Sequence, residues 1–176
     1  MNDIRTAPRA WAEIDLNALV NNYRTLQKAA GGAKMMCVIK GDAHGHGAVP
    51  LGLALAKEGA DAFGVAALSE GIALRKAGIE QPVLVLGWTP AALADQLAAY
   101  RLTQSILDEA YADELSEACE GLDAPLDVHI KLDTGMTRTG IFAPLGMSFT
   151  CATWVFSVRM GVIPSMPSSP FVGSKP

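Results

Sequence analysis

The chain lacks any apolar run approaching the roughly 18 residues that a membrane span requires. Its first ten residues carry two arginines with no apolar core of the signal-peptide kind behind them. A cytoplasmic location is therefore the expectation, with no membrane partner. Cysteine is scarce: Cys37, Cys119 and Cys151 have neither CxxC spacing nor an even count, which argues against a disulfide framework and a cysteine metal clip. They read as reduced, mostly structural thiols. There is no basic cluster, and the formal net charge is −4, which argues against nucleic acid or an acidic membrane surface as the main partner. Small molecules remain. Glycine-rich phosphate loops are missing too. No GxGxxG follows the first strand-like run, and no GxxxxGK followed by Ser or Thr occurs, so dinucleotide and P-loop folds lose their best support.

Acidic residues disappear along the chain. All 18 lie at or before Asp133, and from Pro144 to Pro176 only Arg159 and Lys175 carry charge. At the earlier density roughly four acids would fall in that stretch, so it is a different kind of sequence. It is also crowded with proline and serine at Pro164-Ser165-Met166-Pro167-Ser168-Ser169-Pro170. Residues 144–176 read as a flexible tail, a misread C-terminus or the scar of a truncation, with little regular structure expected.

What is present is a real core. With 176 residues, half of them hydrophobic, the chain is long enough for one domain of the soluble α/β kind. Trp11 to Ile14 alternates like a short strand, and Asp15 can cap a helix whose apolar face is Leu16, Leu19, Val20, Tyr23 and Leu26, ended by Gly31-Gly32. Met35 to Ile39 is an uninterrupted apolar run, the pattern of a strand covered on both faces. Helices are expected over Ala48 to Lys57, from a Ser69 cap to Lys76, from Thr89-Pro90 to Tyr100, and from an Asp108 cap to Cys119. Strands begin near Met35, Ala62, Val83, Leu102 and Leu126, at spacings of 27, 21, 19 and 24 residues with a helix between each pair. That alternation demands a parallel sheet with right-handed crossovers, either doubly wound or a (β/α)8 barrel. The missing phosphate loops favour the barrel, whose chemistry sits at the carboxyl ends of strands.

Lys40 stands at such an end, where the strand gives way to Gly41-Asp42-Ala43-His44-Gly45-His46-Gly47. A lysine whose stem leaves an apolar strand is partly desolvated, which suits it to form a Schiff base with a carbonyl compound such as pyridoxal phosphate. From this window alone a solvated lysine at a strand end is the simpler reading. Asp42 reads as orienting the loop, and Gly45 and Gly47 as giving close backbone approach or positive φ. The His44-x-His46 spacing invites a metal reading, but no third ligand stands near in sequence, and a locally hydrogen-bonded loop histidine is the simpler reading. No metal is expected. Further along, Asp133-Thr134-Gly135-Met136-Thr137-Arg138 ends another strand, and from the residues alone Arg138 reads as a surface ion pair with Asp133.

Three segments together closely resemble the alanine racemases: Ala10 to Leu16, Val38 to Gly47, and Lys131 to Ile141. The second is similar to that family's cofactor-lysine signature, usually written with Ala after the lysine and Tyr in place of His44. The resemblance covers about Arg9 to Phe142. It implies the N-terminal portion of a fold-type III enzyme using pyridoxal 5′-phosphate: a partial TIM-type barrel with about five of eight βα units over residues 1–143, the C-terminal β domain missing. The first segment would then be a strand without its native partners. The implied activity is interconversion of L-alanine and D-alanine, supplying D-alanine for peptidoglycan, by a head-to-tail homodimer.

By the same resemblance, Lys40 carries the cofactor and acts as base on the D-alanine side, and Arg138 reaches the cofactor's phenolic oxygen and the substrate carboxylate. Lys131 matches a lysine that some members carry as a carbamate. His44 would help hold the cofactor phosphate, although imidazole differs from the family's phenol in reach and pKa. The second base in the family is a tyrosine from the partner subunit's C-terminal domain, so the chain alone is expected to be inactive or marginal. Two alternatives stay open: a serine racemase or amino-acid decarboxylase of the same fold type, and a non-catalytic cofactor-binding protein of the homeostasis kind.

Overall fold

A computed structural model gives the fold for residues 12–133, 135–142 and 155–160. The elements run α1 (Leu16–Ala29), β1 (Met36–Val38), α2 (Lys40–Gly45), α3 (Ala48–Lys57), β2 (Ala62–Val65), α4 (Leu68–Lys76) and β3 (Val83–Val85). After a 3-10 turn (Ala91–Leu93) they continue as α5 (Ala94–Ala99), β4 (Thr103–Ile106), α6 (Glu109–Ala118), β5 (Leu126–Asp133), β6 (Ile141–Phe142) and β7 (Val155–Met160).

Strands β1 to β5 pair in parallel in sequence order, and β6 adds a short parallel pairing at Leu132–Asp133 of β5. Sequential order is the barrel's wiring, since a doubly wound sheet reverses direction at a switch point. The five expected strands are therefore all present as a partial α/β barrel. Among the described residues no helix is long and apolar enough to cross a membrane.

Register explains which face is core. Phe63 pairs with Val83 and Val65 with Val85, and all four are wholly buried under the helices. The alternate residues face the side that a closed barrel would fill. There Met36 is 40% and Val38 45% exposed, beside Gly64, whose nearest neighbours are the side chains of Met36, Val38 and Leu86. The expected two-sided covering of β1 is thus corrected to one side, because β1 lies at the end of the strand order and that inner face is open. Gly52 of α3 and Gly71 of α4 bring their helices close, since a Cβ there would stand 2.7 Å from Ile79 and 2.9 Å from Leu102.

Local signals had mixed outcomes. Asp15 accepts from the N–H groups of Asn17 and Ala18, and Asp108 from that of Tyr111, as capping predicts. On α1 only Tyr23 is fully buried, whereas Leu16 and Leu26 of the expected apolar face are exposed. Ser69 does not cap α4: Ala67 is the cap position, without a side-chain bond. Thr89-Pro90 does not start an α-helix, for Pro90 is extended at ψ 132° and the 3-10 turn follows. Residues Ala12 to Asp15 form no strand, and Trp11 lies outside the described residues. Within the stretch expected to be irregular, β7 instead pairs antiparallel with β5 from Leu126↔Met160 to Lys131↔Val155. Its sequence, Val-Phe-Ser-Val-Arg-Met, alternates as a strand should, and the rest of that stretch lies outside the described residues. Cys37 and Cys119 are free thiols, their pKa values raised chiefly by burial, and Cys151 is not among the described residues.

Candidate active site

The carboxyl ends of the parallel strands bring the candidate residues to one rim. Lys40 follows β1, Gly87 and Trp88 follow β3, and Lys131, Asp133 and Arg138 belong to the end of β5 and the loop after it. Lys40 is half-buried, while His44 and Arg138 are exposed.

Lys40 opens α2, which is not an ordinary helix. Gly41, Asp42, Ala43 and His44 all have φ between 52° and 61° and ψ between 35° and 48°, a single left-handed turn. Three of those residues carry a Cβ, and each such position costs about 1–2 kcal/mol relative to right-handed backbone. The surroundings hold the turn in place. Ala43 N–H donates to the Ile39 carbonyl at 2.9 Å and Gly47 N–H to that of Asp42 at 2.9 Å. The Asp42 carboxylate accepts from Ala48 N–H at 2.7 Å, serving as the missing cap of α3. Asp42 orients the loop, as its sequence position suggested. Gly45 and Gly47 have φ of 86° and 89°.

His46 bonds locally: its Nδ1 lies 2.8 Å from the Ala43 carbonyl. Among the described residues no group of three or more His, Cys, Asp or Glu is placed to hold a metal ion.

A residue that sequence reasoning passed over stands beside this turn. Glu70, at the third position of α4, accepts Gly41 N–H on Oε1 and Ala66 N–H on Oε2, both at 2.7 Å. The only local signal was an acid three residues after the cap position, the acceptor half of a capping box.

At the end of β5 the Asp133 carboxylate does not pair with Arg138. It accepts the N–H groups of Gly135 at 2.9 Å and Thr137 at 3.0 Å. The bonds from Thr137 and Gly135 hold its pKa below the ordinary carboxylate value, with the charge of Lys131 a smaller contributor. Lys131 donates from Nζ to the Thr139 carbonyl and to its hydroxyl. Two residues earlier on the same face, burial lowers the pKa of His129. The loop after β5 is thus folded by its own backbone around one carboxylate, leaving the Arg138 guanidinium exposed.

The donor set fits a phosphorylated aldehyde. It offers one amine at a strand end, an imidazole on the same turn able to donate to a phosphate, and an exposed guanidinium suited to a carboxylate or phenolate oxygen.

Comparison with known proteins gives one answer. A family profile described as "Alanine racemase, N-terminal domain" matches residues 14–149. Alanine racemase 1 of Clostridium acetobutylicum is 41% identical over 130 residues, covering 74% of this chain and 34% of that protein. The alanine racemase of Carboxydothermus hydrogenoformans is 45% identical over 132 residues, covering 75% and 36%. Among solved structures, the alanine racemase of Clostridium difficile 630 superposes with a TM-score of 0.72 at 38% identity, over 78% of this chain and 36% of that one. A histidine racemase from Leuconostoc mesenteroides gives 0.68 at 29% identity, over 73% and 34%. The chain spans about a third of the length of the curated relatives it matches.

Proposed function

The chain belongs to the alanine racemase family, and from that premise we propose that it carries the cofactor-binding part of a pyridoxal 5′-phosphate-dependent racemase of alanine acting in the cytoplasm. The observation that carries the reading is Lys40, held half-buried at the mouth of β1 on a left-handed turn. Backbone strain of that kind persists only where surrounding contacts over-determine it, and it gathers at functional sites.

The cofactor, when bound, supplies an electron sink for the pair left at the substrate's α-carbon. The chain's own residues hold and orient the reactants and move the proton on one face. Lys40 Nζ holds the cofactor and moves the α-proton on the D-alanine face. His44 donates to the phosphate. Arg138 presents a planar, permanently charged fork to the substrate carboxylate and the cofactor's phenolic oxygen. Asp133 shapes the loop that carries Arg138. Lys131 as an amine is held by Thr139, and as a carbamate it would turn a positive charge into a negative one that orients Arg138.

By resemblance the opposite face takes its proton-transfer group from another domain of a partner subunit. We therefore propose a head-to-tail homodimer as the working form and impaired turnover by this chain alone. The test is L-alanine with pyridoxal 5′-phosphate and the protein in heavy water, following deuterium at the α-carbon and D-alanine by chiral separation. Exchange that disappears in Lys40→Ala supports the reading, and robust D-alanine production by the 176-residue chain would overturn only the impairment. Cofactor binding without α-proton exchange would favour a non-catalytic holder, and neither binding nor exchange would refute the reading.

A further inference from the structure

We propose that Glu70 is a positioning residue for Lys40, its carboxylate clamping the left-handed turn to the ends of the neighbouring strands. This rests on Lys40 as the cofactor-carrying group. An ordinary capping glutamate uses one oxygen on the N-terminus of its own helix. Glu70 gives Oε2 to Ala66 N–H and sends Oε1 across to Gly41 N–H, 29 residues earlier in the chain. That second N–H belongs to the Lys40–Gly41 peptide. Fixing the plane of this peptide fixes ψ of Lys40, and with it the direction in which the lysine stem leaves the backbone. Both bonds are 2.7 Å, the short length of charge-assisted acceptance by a carboxylate.

The clamp does not end at β2. The carbonyl of Ala66 accepts Gly87 N–H at 3.2 Å, and the carbonyl of Gly87 accepts Nε2 of the fully buried Gln104 at 2.7 Å. The turn bearing Lys40 is thus tied through Glu70 to the ends of β2 and β3 and to a buried side chain on β4. A loop whose backbone is strained at three consecutive residues, Asp42 to His44, needs such an anchor to hold one conformation.

The experiment compares the 176-residue chain with Glu70→Gln, Glu70→Ala and Ile79→Val, the last a mild core truncation near the opposite ends of the strands. Amide exchange at Gly41 and Ala66 reads the clamp without any cofactor. Borohydride reduction in the presence of pyridoxal 5′-phosphate, followed by peptide mapping, reads the share of label on Lys40. In Glu70→Ala both amides should exchange at least tenfold faster, and the Lys40 share of label should fall severalfold. Glu70→Gln keeps one acceptor oxygen and should protect one amide while releasing the other. Ile79→Val should lower the melting temperature without moving label away from Lys40. Unchanged exchange at both amides in Glu70→Ala would overturn the clamp. A Lys40 share no lower than in Ile79→Val would overturn its positioning role. Absence of label on Lys40 in the unmodified chain would instead refute the cofactor reading, the exchange data still judging the clamp.

Discussion

Gly87→Ala should damage this rim more than any other single methyl group added to a strand end. An ideal Cβ at Gly87 stands 2.4 Å from the carbonyl oxygen of Ala66, whereas carbon–oxygen contacts of the tightest ordinary kind lie near 3.3–3.6 Å. One strand end must therefore move by about 1 Å. The obstacle is backbone, so no side-chain rotation relieves it. Such overpacking costs about 1–3 kcal/mol. The movement also loosens the Gln104 amide from the Gly87 carbonyl, and Gln104 is wholly buried, so about 1 kcal/mol more is lost. Reduced freedom of the unfolded chain returns about 0.4–1 kcal/mol. A net loss of about 2–3 kcal/mol follows, which at a urea dependence of about 1–2 kcal/mol per molar moves the unfolding midpoint down by roughly 1–3 M. Gly64→Ala is the internal control: its added methyl meets only side chains, all at 3.4 Å on the open inner face, and its cost should stay within about 0.5 kcal/mol. A midpoint for Gly87→Ala within error of that control would refute the argument that the strand ends are locked together at Ala66.

At the opposite end, Arg75 donates to the carbonyls of Tyr100, Ile79, Gln81 and Arg101. Arg75→Met should remove about 2–3 kcal/mol of stability in the same denaturation assay, and a change below about 0.5 kcal/mol would contradict it. Burial raises the Tyr111 phenol, whose hydroxyl donates to the Thr89 carbonyl, to about 12. The folded state therefore keeps a proton that the unfolded state releases near pH 10, and stability present below that pH should decline by about 2 kcal/mol on rising toward pH 12. Tyr111→Phe should lose this alkaline decline, and an identical pH profile would count against it. His44→Tyr should tighten pyridoxal 5′-phosphate about threefold to tenfold in an equilibrium titration. An unchanged dissociation constant would remove His44 from the phosphate site.

Much of the scaffold was legible because its signals are local. Apolar runs at regular spacing located five of the six parallel strands, the two-residue β6 being too short to show, and Asp15 and Asp108 announced their helices because each cap bonds an N–H within three residues. Lys40 stood out for the same reason, as a cation directly after an apolar run. The left-handed turn was not legible. Its glycines suggested positive φ, but Asp42, Ala43 and His44 adopt it because bonds from α3, from α4 and to the Ile39 carbonyl hold them there. Ser69 and Thr89 misled in a related way. The N-terminus of α4 is governed by Glu70, and Thr89 is oriented by the Tyr111 hydroxyl on its carbonyl. The face of β1 could not be read from its apolar run, since exposure depends on what lies across the sheet.

The central claim is that the Lys40 amine is the chain's covalent anchor for pyridoxal 5′-phosphate. Incubating the protein with the cofactor, reducing with borohydride and mapping the digest tests it directly. The account predicts one dominant pyridoxyl label, on the peptide containing Lys40, and its loss in Lys40→Ala. Label spread over surface lysines, or equally abundant in Lys40→Ala, would contradict it.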